Sequence, residues 1–235
     1  MNAIKHVLCT SNAKTVKGEK KGWFTSVLYL APHTLSGVNV CSHATPSCID
    51  GCLNTAGRGQ FKKIQQSRII RTQLLNQNRE AFIEILVSDI RATIRKAERL
   101  GMSPCIRLNG TSDLPWENIR INSKNNAMQE FNDIQWYDYT KVPIRMKKFL
   151  SGGMPENYHL TFSRSGSNDS AVKSVLDSGG NVAVVFRKYL PADWMGKKVI
   201  NGDESDLRFL DPAGVVVGLK AKGRARSSGG DFVVD

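Results

Sequence analysis

Cys41, Cys48 and Cys52 fall within one short polar segment, CSHATPSCIDGC, directly after a strongly apolar stretch. Thiolates are soft donors, and three of them on one loop suit a metal ion or an iron–sulfur cluster. Three ligands rather than four leave one metal position open to a substrate or cofactor. Ordinary buried thiols are the plain alternative, but free cysteines sit in apolar cores and this segment is polar. Zinc would take a fourth ligand, for which His43 stands two residues after Cys41. An iron–sulfur cubane needs the three thiolates alone. No CxxC pair accompanies the loop, which argues against a structural zinc ribbon and favours iron–sulfur. Cys105 lies in an apolar stretch and reads as a core residue, while Cys9 sits in a polar segment and has no clear role.

Other polar clusters stand at the ends of apolar runs. Asn109, Gly110, Thr111, Ser112 and Asp113 can bind an amino or carboxylate group, or form a capped turn. Ser163 with Arg164, and Arg187, end two further runs, and the arginines suit carboxylate or phosphate. Asp138 and Lys141 form an acid–base pair or, more plainly, a local ion pair. His159 alternates with apolar neighbours. Asp203, Glu204 and Asp206 suit a cation or a solvated turn. Gly57 and Gly59 shape the entry to the next helix.

The elements that must position these groups alternate in type. Phe24–Ala31, Ser103–Gly110, Ile134–Thr140, Asn157–Ser165 and Asn181–Arg187 read as strands, as do the shorter Val199–Gly202 and Gly214–Ala221. Helical periodicity runs from Gln60, with Phe82, Ile85, Leu86, Ile90, Ile94 and Ala97 on one face and Gly101 as a stop. Further helices are predicted near 125–132, through Met146 and Leu150, and over Asp169–Asp177. Strands alternating with helices imply an α/β fold of about six parallel strands with outer helices. Ligands bind at the carboxyl ends of such strands, where the polar clusters fall.

The 235 residues are divided into an N-terminal extension (1–22), one α/β domain (23–221) with the cysteine loop at 41–52, and a flexible basic tail (222–235) rich in Gly and Ser. A net charge of +12 attracts polyanions, so a nucleotide or nucleic acid is an expected partner. No apolar run is long enough to span a membrane, and no secretory signal core is present. The expected location is cytoplasmic, in the host cytoplasm if the chain is phage-encoded.

This organisation resembles the radical S-adenosylmethionine (SAM) enzymes, whose fold is a partial (β/α) barrel with three cluster cysteines in the loop after the first strand. The resemblance implies that Cys41, Cys48 and Cys52 hold a [4Fe-4S] cluster whose open iron binds SAM. It also implies cofactor contacts from Asn109, Gly110, Thr111, Ser112 and Asp113 after the second strand, and from Ser163, Arg164 and Arg187 at later ones. The strand with Gly218 is similar to one that packs near adenine in that family. The spacing here is C-x6-C-x3-C where the family uses C-x3-C-x2-C, and the family's glycine-rich glutamate motif is missing. The whole chain also resembles a group of small phage-encoded proteins that share the cysteine loop, the NGTSD segment and the LKAKG ending. A non-catalytic alternative is a nucleic-acid-binding protein in which Cys41, His43, Cys48 and Cys52 hold zinc and the basic segment Arg58–Arg71 contacts phosphates.

Overall fold

The structure, a computed structural model, describes residues 4–10 and 13–235. Seven parallel strands form its centre. They are β2 (Trp23–Leu28), β3 (Ser103–Arg107), β4 (Gln135–Thr140), β5 (Tyr158–Ser163), β6 (Val182–Phe186), β8 (Lys197–Asn201) and β9 (Val216–Lys220). In space they run β2-β3-β4-β5-β6-β9-β8. Short antiparallel strands flank the two ends, β1 (Leu8–Cys9) on β2 and β7 (Asp193–Trp194) on β8. The two flanking strands do not pair with each other, so the sheet is open and not closed into a barrel. The fold class is mixed α/β, as the alternation of patterns implied.

One face of the sheet is covered by helices. The long periodic stretch divides into α3 (Lys62–Gln77) and α4 (Arg79–Arg99). The break falls at Asn78, whose side chain accepts the Ala81 N–H at 3.0 Å and caps the second helix. Phe82, Leu86 and Ile90 recur on one side of α4 and pack on Leu28, Ile106 and Leu108 of the sheet side. Fully burying side chains of this size stabilises by about 1.5–3 kcal/mol each. A single turn, α5 (Ala127–Glu130), precedes β4, and helices α6 (Pro143–Leu150) and α7 (Asp169–Asp177) continue the layer through Met146, Val172 and Leu176.

The opposite face is filled by the connection between β8 and β9. Phe209 packs edge-on against Trp23, with ring centroids 4.7 Å apart, and against Tyr137 at 5.5 Å. Leu207 joins Cys105 and Tyr137 in a small apolar cluster, which makes Cys105 the core residue its sequence context implied. Arg208 is fully buried beside them.

The segments read as an extension and a tail are both attached to the sheet. Strand β1 pairs with β2, and a short helix, α1 (Ala13–Glu19), packs beside it. At the other end, β10 (Val233–Val234) pairs parallel with β6, at Val185 and Phe186. Strand β5 pairs with β6 only at Val182 and Ala183, so β10 takes over the same edge further along. Composition suggested flexibility here because Gly and Ser dominate; the Phe-Val-Val that follows them supplies the anchor.

Candidate functional site

A cleft opens at the carboxyl ends of the strands, enclosing about 1190 Å³ of empty space with its mouth included. Cys41, Cys48 and Cys52 all line it. So do residues 109–113 after β3, Tyr139 to Lys141 at the end of β4, and Ser163 at the end of β5. Chain-distant pieces finish the wall: Asp203, Leu219, Lys220, Lys222, Ala225 and Phe232. Six of the sequence-designated residues (the cysteines aside, Asn109 to Asp113 and Ser163) therefore meet in one place, together with all three thiols.

Local chemistry sets the cysteine loop. Thr45 caps α2 (Pro46–Asp50) by accepting the Cys48 N–H at 3.2 Å, and Pro46 sits where a helix lacks a donor requirement. The Cys41 sulfur accepts the His33 N–H at 3.3 Å and lies 3.8 Å from the Thr111 carbonyl, which joins the first loop to the second. Burial pushes the Cys41 thiol up to about 11 despite the His33 donor, and a charge on Cys52 would push it further. Burial likewise raises Cys52, with Cys48 adding to the effect. Cys48 packs on Ala221, Ala225, Phe232 and Val233. The thiols thus act on one another through a poorly solvated wall. Among the described residues, no three His, Cys, Asp or Glu side chains stand close enough together to hold a metal ion as they are.

Much of the polar capacity of residues 109–113 is spent within the protein. Asn109 donates its N–H and Nδ2 to Asp138, at 2.7 and 3.2 Å, and its Oδ1 accepts from Ser112 and Leu114. Thr111 donates to the Leu30 carbonyl at 2.6 Å. Asp113 accepts from Arg145 at 2.6 Å and from the Lys141 N–H at 2.7 Å. Gly110 lies so close to β2 that a Cβ would come 2.7 Å from the Leu28 carbonyl oxygen. These bonds fix the loop, and all five of its residues border the cleft.

Asp138 and Lys141 do not pair. Asp138 is fully buried, and burial pushes its carboxyl up to about 7 against the pull of Arg107 and of the Asn109 and Tyr158 donors. Lys141 donates to the Ser163 hydroxyl at 2.9 Å and lies over the Phe232 ring. Asp203 pairs with Lys222 at 2.5 Å, while Asp206 binds Arg107 at 3.1 Å, so the acidic turn serves internal ion pairs.

Arg164 and Arg187 lie outside the cleft, contrary to the sequence reading. Arg164 pairs with Asp169 and donates to the Asp231 carbonyl at 2.6 Å. Arg187 donates to the carbonyls of Ala225, Arg226 and Ser228 and pairs with Asp235. Both hold the C-terminal segment down, since guanidinium forks suit rows of carbonyl acceptors. Gly218 packs against Val199 and Leu190, away from the cleft. His33, Lys220, Lys222 and Phe232 are cleft residues that sequence reasoning missed. Only Lys220 and Lys222 carried a signal, as cations at and just past a strand end.

An open, mostly parallel α/β sheet with a cysteine-walled cleft at its carboxyl edge is the class of protein that this architecture defines. The chain belongs to the Gene product 88 family, whose model matches residues 6–232, and this is consistent with a phage or viral protein. No curated protein and no solved structure matches the chain. No helix among the described residues is long and apolar enough to cross a membrane.

Proposed function

We propose that the protein is an iron–sulfur enzyme of radical SAM type, in which Cys41, Cys48 and Cys52 hold a [4Fe-4S] cluster and SAM binds at the open iron. One observation carries this reading: the three thiols and residues 109–113, from the loops after adjacent parallel strands, border a single cleft. Soft, poorly solvated thiol donors fit such a cluster, although the side chains must converge on loading. When bound, the cluster supplies an electron to the cofactor's sulfonium.

The chain's own residues bind and orient. Ser112 and Ser163 offer hydroxyls at the cleft for the cofactor's amino group, and the Lys141 ammonium, pinned at Ser163, suits its carboxylate. Val185, Leu219 and Phe232 supply apolar wall that keeps water from a reacting centre. Lys220 and Lys222 make the far side basic, which favours a substrate bearing phosphate, such as a nucleotide or nucleic acid. Arg164 and Arg187 have no place in this reading.

Anaerobic reconstitution with iron and sulfide tests it. Wild-type protein is expected to take up about four irons and four sulfides and to absorb broadly at about 400 nm, and Cys48→Ala is expected to lose them. Calorimetric titration of loaded protein with SAM then measures cofactor binding. One zinc, no colour and salt-dependent binding of DNA or RNA would replace this reading with the non-catalytic one. That alternative is favoured by a single observation, that His43 lines the same cleft as the cysteines.

A further inference from the structure

Arg68 projects from α3 and is 7% exposed. Its Nη1 donates to Asn54 Oδ1 at 2.5 Å, and its guanidinium lies 5.0 Å from the centre of the Tyr29 ring. Its Nε is buried and has no partner. The other buried arginines each have a carboxylate: Arg107 with Asp206, Arg145 with Asp113 and Glu117, Arg164 with Asp169, Arg208 with Asp211. Arg68 forms no such ion pair among the described residues. The ionisable groups that act on it most are Tyr29, Cys52, Cys9 and Arg71. A buried cation without an anion is costly, so this site is electrostatically incomplete.

The missing charge lies toward Cys52. The Asn54 backbone acts on the Cys52 thiol, holding it down against burial, and the Asn54 side chain accepts from Arg68, so one residue stands between thiol and guanidinium. Gly59 packs on the same turn: a Cβ there would stand 2.8 Å from the Leu53 carbonyl oxygen and 3.2 Å from that of Asn54, which keeps the turn close to Arg68. We infer that Arg68 is the built-in counter-ion of an anionic thiolate centre that includes Cys52. It is a positioning residue and touches no reacting atom. The inference rests on the iron–sulfur reading above and names the group that sets that centre's charge balance. A cubane core of charge +2 on three thiolates carries −1, and one added electron makes it −2. A fixed cation nearby favours the second state more than the first.

The experiment is redox titration of the reconstituted protein with dithionite and mediators, followed by absorption, for wild type, Arg68→Gln and Arg68→Lys, with iron counted in each. Arg68→Gln is expected to keep its iron. At a fixed potential its reduced-to-oxidised ratio should fall about tenfold, which for one electron is a shift of about 59 mV to more negative potential. Arg68→Lys should stay near wild type. An unchanged potential in iron-loaded Arg68→Gln overturns the inference and leaves the iron–sulfur reading standing. Wild-type protein that takes up no iron overturns both. If Arg68→Gln fails to load, loading by Arg68→Lys supports the charge role, and failure of both variants overturns it in favour of a hydrogen-bond role for the guanidinium.

Discussion

Arg145 grips both carboxylate oxygens of Glu117, with Nε and Nη2 each at 2.8 Å, and reaches Asp113 with Nη1 at 2.6 Å. All three side chains are nearly out of water, and the Tyr158 hydroxyl completes the fork at 2.9 Å. Removing the cation strands two buried carboxylates. Arg145→Leu is expected to cost about 3–5 kcal/mol in urea denaturation. Arg145→Lys should recover only part of this, because an ammonium cannot serve both oxygens of Glu117 and Asp113 at once. A loss below about 1 kcal/mol in Arg145→Leu would show that the pairs do not hold the loop.

Gly110 predicts a sharper local effect. The Cβ of an alanine would meet Leu28 oxygen, the Tyr29 ring and Val27, each at 2.7 Å, so the loop or β2 must shift. Gly110→Ala is expected to cost about 1–3 kcal/mol. Because the Cys41 sulfur lies against Thr111, the same change should lower cluster loading of protein that remains folded. Full loading with unchanged stability would contradict the packing described.

His159 sets a pH dependence of known sign. Burial holds its imidazole down at about 4, and the nearby Arg208 cation adds to this. In the unfolded chain it titrates at about 6.5. Between pH 6.5 and 4 the unfolded chain therefore takes up a proton that the folded chain does not. Stability falls as pH is lowered through this window and owes nothing to the group above it. Its full extent is on the order of 3 kcal/mol. Asp138 works the other way: its folded carboxyl keeps a proton up to about pH 7 that the unfolded chain releases from 3.8, so its contribution is lost as pH rises. Comparing wild type with His159→Leu in urea at several pH values cancels Asp138. The acid-side loss should shrink in the variant; identical slopes would refute the assignment.

Arg187 predicts a link between the C-terminal segment and the cysteines. Its guanidinium is bonded to the carbonyls of Ala225, Arg226 and Ser228, whose neighbours Ala225 and Phe232 cover Cys48. Arg187→Ala should lose about 2–4 kcal/mol and speed alkylation of Cys48 by a maleimide under native conditions. Labelling at the wild-type rate would mean that the cover stays closed without its clamp.

The parts of this fold that were legible in the sequence are those set by local periodicity. Phe82, Leu86 and Ile90 outline α4, Asp169–Asp177 matches α7 at both ends, and the strand ends collect the polar clusters that border the cleft. Long-range pairing was not legible. The insertion of β9 between β6 and β8 leaves no mark on nearby residues, and a two-residue strand such as β10 is too short to have a period. Arg164 and Arg187 were misread for a related reason. An arginine at a strand end looks alike whether it awaits a ligand or the carbonyls of a distant segment of its own chain. The three cysteines were readable because their density in a polar loop needs no partner to be noticed. Arg68 was not, since its peculiarity is the lack of a carboxylate that only the folded structure can reveal.

The hydroxyl of Ser47, one residue before Cys48, donates to the Asp231 carboxylate at 2.7 Å across 184 residues of chain. This bond closes a loop that takes in most of the sheet. The wall beside Cys48 therefore exists only in a chain that reaches Asp231. During synthesis, which runs from the N-terminus, the three cysteines precede by well over a hundred residues the segment that covers Cys48. In that interval the redox state of the surroundings acts on thiols that have no finished wall beside them.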